Sequence, residues 1–359
     1  MAVTNLTAGI IGLGRMGAEP SQRLTGRVPA GWLPISHLEA VRDAGFDITA
    51  ICDANAARTE WVKESYGLSA ALRASADELI GERAPDLLAV ATRTPERPGI
   101  LLRAIEKGVR ALVAEKPLAN NLRETYQVTD AVMAAGTLLG YGAMRRAMDI
   151  YRRARTLVAE GAIGELVGIN AEFGLSKLLW SLPHAVDLFL FFANTTEVDY
   201  VSGHCTWGAD ESFTSENYFD GDPLVETATV RFANGVIANI VPAGGLNIRL
   251  FGTKGSMAIL GDGEYIELHT PGRADWYFTE YRRFDNFAQA SGTLNLYRQL
   301  HGALSGEGSF DVIDADTIRV SQQILFAILQ SSAQGGQRIK LAGLNEELVI
   351  NGRTGANFA

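Results

Sequence analysis

A doubly wound parallel α/β sheet, followed by an α+β domain with a large open, mainly antiparallel sheet, is the fold class that this sequence predicts. Two regimes in the chain and one glycine-rich turn carry the prediction. Up to about residue 145, short apolar runs alternate with helix-periodic stretches, the mark of parallel strands covered on both faces. After about residue 160, strand-like runs follow one another without helices between them. With 359 residues the chain is long enough for two domains, placed at 1–143 and 144–359.

In the first regime the expected strands are Thr7–Gly12, Ile48–Asp53, Leu87–Ala91, Ala111–Ala114 and Thr137–Tyr141. Helix-like stretches at Asp77–Glu82, Gly99–Lys107 and Leu122–Ala135 separate them. Asn121 is placed to cap the last of these, and Gly136 to end it. In the second regime the expected strands are Leu166–Phe173, Val198–Thr206, Val225–Phe232, Val236–Pro242, Ile248–Phe251, Met257–Leu260, Tyr265–His269 and Trp276–Arg282. Thr227, Thr229 and Arg231 alternate with Ala228, Val230 and Phe232, giving one polar and one apolar face, and Asn234-Gly235 signals a two-residue hairpin turn. Helices at 296–304 and 315–333 precede a glycine-rich tail from Gly335.

Composition narrows the function. Lys and Arg total 32 against 41 Asp and Glu, a net charge of −9 that argues against nucleic acid or an anionic membrane as partner. The most apolar short run, Leu188–Ala193, has six residues where about twenty would span a bilayer. Two cysteines, Cys52 and Cys205, make no disulfide framework and fit a reducing compartment, so a cytoplasmic location is expected. No His/Cys cluster has ligand spacing, so no metal is expected, and Asp220-Gly221-Asp222 reads as a solvated turn.

The first strand runs into Gly12-Leu13-Gly14-Arg15-Met16-Gly17, a G-x-G-x-x-G in the strand-to-helix context of a Rossmann dinucleotide site. The glycines permit a tight turn and a close approach of backbone N–H groups to a pyrophosphate, and a following helix would add its N-terminal dipole. Asp53 ends the second strand, where a carboxylate accepts hydrogen bonds from the adenosine ribose and repels a 2′-phosphate, so NAD is expected over NADP, with Arg15 and Arg58 softening the preference. The spacing to Asp53 is long because Thr25–Phe46 looks like an inserted loop plus helix. Glu115-Lys116-Pro117 closes the fifth strand at the carboxyl edge, where ligands of such sheets bind.

These motifs together (GIIGLGRMG at 9–17, CDAN at 52–55, ATRTP at 91–95, AEKPLANN at 114–121), with 161–174, 225–240 and 251–260, resemble the glucose–fructose oxidoreductase and inositol 2-dehydrogenase (Gfo/Idh/MocA) family over nearly the whole chain. The resemblance implies an NAD(H)-dependent oxidoreductase acting on a secondary hydroxyl or ketone of a sugar, glycoside or cyclitol. It implies a homo-oligomer, dimer or tetramer, formed through the open sheet. Cofactor contacts would come from Gly12, Gly14, Arg15, Met16, Gly17, Asp53, Thr92, Thr94, Pro95, Glu115 and Lys116. Lys116 would stabilise the substrate oxygen and His184 act as general acid/base. Tyr141, Arg145, Trp180 and Asp187 would bind substrate; for Arg145 and Arg146 the other reading is a solvated loop pair, and for His184 a core histidine. The family's D-x-G-x-H-x-x-D motif is only half kept: His184 and Asp187 match, while Trp180 and Leu182 stand where the aspartate and glycine belong. Trp180 either offers an apolar subsite to a sugar or aglycone, or fills the pocket. Gly99 stands where many relatives carry a histidine. His204 and Trp207 are assigned to packing. Two alternatives stay open: an NAD-dependent glycoside-cleaving enzyme working by transient oxidation and elimination, and a non-catalytic NAD-binding regulator.

Overall fold

The computed structural model describes residues 5–81, 84–272, 279–287 and 290–352. The first strands are the short apolar runs: β1 (Thr7–Ile11), β2 (Asp47–Cys52), β3 (Ala71–Arg73), β4 (Leu87–Val90), β5 (Ala111–Ala114) and β6 (Leu138–Tyr141). All pair in parallel, in the order β3-β2-β1-β4-β5-β6. Every residue of β4 and β5 is buried, as strands covered on both faces require. β3, absent from the sequence prediction, has three half-buried residues at the sheet edge and is too short to show a period. The sheet order reverses direction between β1 and β4, and the crevice at the carboxyl ends of those strands is where such sheets take ligands.

The helices between them are α1 (Arg15–Ala18), α2 (Ser21–Leu24), α3 (His37–Asp43), α4 (Ala56–Tyr66), α5 (Ala76–Gly81), α6 (Arg97–Glu106) and α7 (Leu122–Ala135). α7 is bounded as its sequence requires: Asn121 accepts the Glu124 N–H at 2.8 Å, and Gly136 closes it with φ +67°. The helix expected after the glycine turn is a single turn only. Pro20 has no N–H and forces Glu19 into an extended conformation (ψ 128°), so α1 stops after four residues. One turn carries little macrodipole.

The second regime begins with α8 (Asp149–Ala159), β7 (Leu166–Glu172), β8 (Ser176–Lys177) and α9 (Pro183–Ala193). It continues as β9 (Val198–Thr206), β10 (Ser212–Ser215), β11 (Tyr218–Asp220), β12 (Leu224–Phe232), β13 (Ile237–Val241), β14 (Asn247–Gly252), β15 (Gly255–Leu260), β16 (Tyr265–Pro271) and β17 (Thr279–Phe284). The predicted strand Trp276–Arg282 overlaps β17, and its first three residues lie outside the described residues. β17-β16-β15-β14-β7-β13-β12-β8 form one sheet, with β9 also paired to β12; β7 and β13 run parallel and the other neighbours antiparallel. On β12, Ala228, Val230 and Phe232 are buried while Thr229 and Arg231 are half-buried, the predicted alternation. The β12–β13 turn is one residue longer than predicted: Phe232 N–H donates to the Val236 carbonyl, and Gly235, at φ +94°, closes a three-residue loop.

α10 (Gly292–Ser305), α11 (Ala315–Ala333) and β18 (Val349–Asn351) end the described chain. The tail from Gly335 is therefore part of the fold: Ile339 bridges Val201, and β18 pairs in parallel with β11 in a small sheet ordered β10-β11-β18. Among the described residues the chain forms two compact units, 5–147 with 290–319 and 148–287 with 320–352. Leu296, Tyr297 and Leu300 of α10 are buried in the same core as the six-stranded sheet, which is why this late segment folds with the first unit. Among the described residues no helix is long and apolar enough to cross a membrane.

Candidate functional site

Three glycines of the first turn do three different things. Gly12 has φ +86°, and a Cβ there would lie 2.7 Å from the Ala91 backbone. A Cβ on Gly17 would lie 1.9 Å from the Gly12 carbonyl oxygen, so this glycine lets the turn fold back on itself. A Cβ on Gly14 would meet nothing within 4 Å. The first and third are needed by the protein itself; the second leaves an open face, the cradle that a pyrophosphate would fill. Arg15 beside it is exposed and Met16 half-buried.

Asp53 ties this turn to the end of β2. One carboxylate oxygen accepts the Leu13 N–H at 2.7 Å and the other the Asn55 N–H at 2.9 Å. A carboxylate has about four acceptor positions, so two remain for ribose hydroxyls. Arg58, considered as a 2′-phosphate partner, is engaged elsewhere: its Nε donates to the Leu13 carbonyl at 2.7 Å and its guanidinium lies over the Trp61 ring. These residues fit a dinucleotide with a free ribose hydroxyl.

On the neighbouring strands, Thr92 follows β4, Thr94 and Pro95 form a short 3₁₀ turn, and Glu115-Lys116-Pro117 follows β5 with a cis Lys116–Pro117 peptide. Arg97, fully buried, clamps these two loops by donating to the Thr92 and Pro117 carbonyls. Burial pushes its guanidinium down to about 10, so it keeps its charge at neutral pH. The Glu115 carboxylate is buried and bonded within the protein. It accepts from His37 Nε2 at 3.2 Å and from the Lys116 N–H at 3.2 Å. Burial pushes its pKa up, but the His37 hydrogen bond and charge, with the Lys116 and Arg97 charges, outweigh it and hold the group below the usual carboxylate range. Lys116 itself is half-buried.

Tyr141 is buried at the end of β6. Arg145 and Arg146 are 7% and 6% exposed, which overturns the solvated-pair reading. Arg145 lies over the Trp32 ring at 4.8 Å, and Arg146 donates to the Val312 carbonyl at 3.2 Å.

In the second unit, His184 sits half-buried in the first turn of α9, and Asp187, one turn on, is fully buried. Trp180 is 37% exposed. The solvated-turn reading of Asp220-Gly221-Asp222 is wrong. Asp222 is 1% exposed, and its two oxygens accept the Leu179 N–H at 2.8 Å and the Trp180 N–H at 3.0 Å. Burial raises it to about 6, against the lowering effect of those two bonds. Asp222 thus holds the turn that leads into α9. Sequence reasoning missed it, together with His37, Arg97 and Tyr297, because each acts across a long stretch of chain and belongs to no local motif. Of the residues assigned to packing, Trp207 meets Phe213 and Phe219 edge-on, and the His204 ring lies over Gly336. Burial raises Cys52 to about 11 and Cys205 to about 12, so neither is a thiolate nucleophile. Among the described residues no group of His, Cys, Asp or Glu is arranged to hold a metal ion.

Comparison with known proteins agrees with this geometry. Residues 6–143 match the family profile described as oxidoreductase family, NAD-binding Rossmann fold. An inositol 2-dehydrogenase of Saccharopolyspora erythraea is 32% identical over 157 residues, which is 44% of this chain and 41% of that protein. A 1,5-anhydro-D-fructose reductase of Ensifer adhaerens is 24% identical over 241 residues, 61% of this chain and 69% of that one. The chain thus spans less than half the length of several curated relatives it matches, inositol 2-dehydrogenases among them. Among solved structures, a levoglucosan dehydrogenase in complex with NADH and levoglucosan superposes with a TM-score of 0.75 at 17% identity, covering 94% of this chain and 100% of that one. Residues 6–143, with their glycine turn, Asp53 and Glu115-Lys116-Pro117, are similar to the NAD-binding Rossmann domain of the Gfo/Idh/MocA oxidoreductase family.

Proposed function

We propose that this protein is an NAD(H)-dependent oxidoreductase acting on a secondary hydroxyl, or the matching ketone, of a sugar, glycoside or cyclitol. The observation that carries the reading is Gly14: of the three glycines in the turn, only it has open space where a side chain would be, and that is where a pyrophosphate would approach the backbone. Asp53, with acceptor capacity left after its two backbone bonds, favours NAD over NADP. Hydride acceptance or donation is the chemistry a nicotinamide supplies when bound. Lys116 Nζ holds the substrate oxygen and stabilises the negative charge that builds on it as hydride departs. His184 takes the hydroxyl proton, a task suited to imidazole near neutral pH. Tyr141 and Arg145 are assigned to substrate by the family resemblance, while Asp187, with no surface exposed, orients the His184 imidazole one turn before it in α9. The assignments of Lys116 and His184 rest on the motifs they share with the family. Pairing of copies through the open sheet belongs to the same reading, supported by Phe251 and Tyr281, 38% and 51% exposed on its strands.

The test is a panel of myo-inositol, 1,5-anhydro-D-fructose, levoglucosan and hexose glycosides, offered with NAD(H) or NADP(H) and followed by NADH absorbance. Turnover with NAD should exceed that with NADP. Lys116→Ala and His184→Ala should each lower kcat by about two orders of magnitude or more while NADH binding stays near that of the parent. Full turnover in either variant removes that residue from the mechanism. The exposed indole of Trp180 favours a second reading, cleavage of a glycoside through transient oxidation and elimination. Sugar release without net NADH would decide for it.

A further inference from the structure

A chain of buried polar groups lies behind the Glu115-Lys116-Pro117 turn and has no part in the chemistry above. His37, the first residue of α3, is fully buried; its Nδ1 is 2.7 Å from the Tyr297 hydroxyl and its Nε2 is 3.2 Å from Glu115 Oε1. Glu115 Oε2 in turn accepts the Lys116 N–H at 3.2 Å. The three side chains come from the inserted segment, the end of β5 and α10, so the arrangement exists only in the folded first unit.

The protons follow from the partners. Tyr297 is fully buried, and burial with the nearby Glu115 charge keeps it a phenol. Among the described residues its hydroxyl has one acceptor, His37 Nδ1. A buried hydroxyl proton without an acceptor is costly, so Nδ1 carries the lone pair and Nε2 the hydrogen. The bonds then run one way, from Tyr297 to His37 to the Glu115 carboxylate, and end on the group that also holds the Lys116 backbone. The carboxylate is closely packed: a Cβ on Gly142 would come within 2.9 Å of both Glu115 Oε2 and the Lys116 nitrogen. Arg97 fixes the next carbonyl, that of Pro117.

We propose that His37, oriented by Tyr297, is a positioning residue for Lys116, fixing the backbone from which its ammonium reaches the substrate oxygen; this rests on the role given to Lys116 above. Losing the Nε2–H donor leaves a buried carboxylate one bond short, and it turns to recover a partner. A displacement of about 1 Å at a catalytic group costs on the order of a hundredfold in rate. The glycine turn that would hold the cofactor is untouched by this network.

The test uses His37→Leu, His37→Gln and Tyr297→Phe in the full chain, with the panel compound that the parent turns over fastest. His37→Leu should lower kcat about thirtyfold with the NADH Kd unchanged within about twofold. His37→Gln, whose amide N–H can replace the donor to Glu115, should recover most of that loss. Tyr297→Phe keeps the shape of the core and should lower kcat severalfold, and it serves where the leucine variant fails to fold. Nitrogen-15 spectra of the imidazoles, assigned among the five histidines by difference from His37→Gln, should show His37 protonated on Nε2 and bare on Nδ1. Parent-like kcat in folded His37→Leu or Tyr297→Phe, equal losses in the Leu and Gln variants, or a hydrogen on Nδ1 would overturn the proposal. If Lys116→Ala is inactive while His37→Leu is fully active, the positioning role alone falls. If Lys116→Ala turns over normally, the reading of Lys116 falls and takes the positioning role with it.

Discussion

The carboxyl edge of the six-stranded sheet and the entry to α9 are built by opposite means. At the sheet edge the backbone does most of the work: glycines at 12, 14 and 17 shape a turn, N–H groups line it, and Asp53 braces it through the Leu13 N–H. At α9 a side chain distant in sequence does it, since Asp222 grips the Leu179 and Trp180 N–H groups ahead of His184. A backbone-built site depends on residue types that nothing else replaces, and tolerates no drift. A turn held by a remote carboxylate leaves no local signature, which is why Asp222's hold on Leu179 and Trp180 is invisible along the chain.

That contrast can be broken at either end. The largest effect is expected from Gly17→Ala, whose Cβ would sit 1.9 Å from the Gly12 carbonyl oxygen with no flexible atom to give way. A stability loss of about 3 kcal/mol should appear in urea unfolding, the upper part of the range for overpacking; parent-like stability would show that the turn can open without cost. A smaller and pH-dependent effect is expected at Asp222. Its ordinary value of 3.8 rises to about 6 in the fold, so the folded protein holds this proton more tightly than the unfolded chain. The stability contributed by this group is complete below about pH 4 and is lost as pH rises through 6. Unfolding midpoints of the parent should therefore fall relative to those of Asp222→Asn between about pH 4.5 and 7, the span over which the group titrates. Parallel profiles would mean that the carboxylate is as well solvated as the sequence alone suggested.

The first unit was legible because its signals are local. β4 and β5 are unbroken apolar runs, Asn121 and Gly136 bound α7, and the glycine turn sits where strand meets helix. What escaped is non-local. Pro20 cuts α1 to one turn, while the helix expected within Thr25–Phe46 is found as α3 at His37–Asp43. The His37–Tyr297 bond spans 260 residues, and no window along the chain contains both partners. Asp222 misled for a related reason: Asp-Gly-Asp is turn chemistry anywhere, and only the fold supplies the two N–H groups that make burial tolerable. The second unit shows the same division, with the alternation of β12 read correctly and the three-residue strands β11 and β18 invisible before the chain closes on itself.

The most direct measurement is NADH binding, by nicotinamide fluorescence, to the parent and to Gly14→Val, with the thermal midpoint of each recorded. Gly14 has an extended backbone, φ −66° and ψ −157°, and open space around it, so the valine should leave the midpoint unchanged while filling the cradle and abolishing binding. Equal NADH affinity in the two proteins, both folded, would contradict the account, because the turn would then not be where the dinucleotide binds.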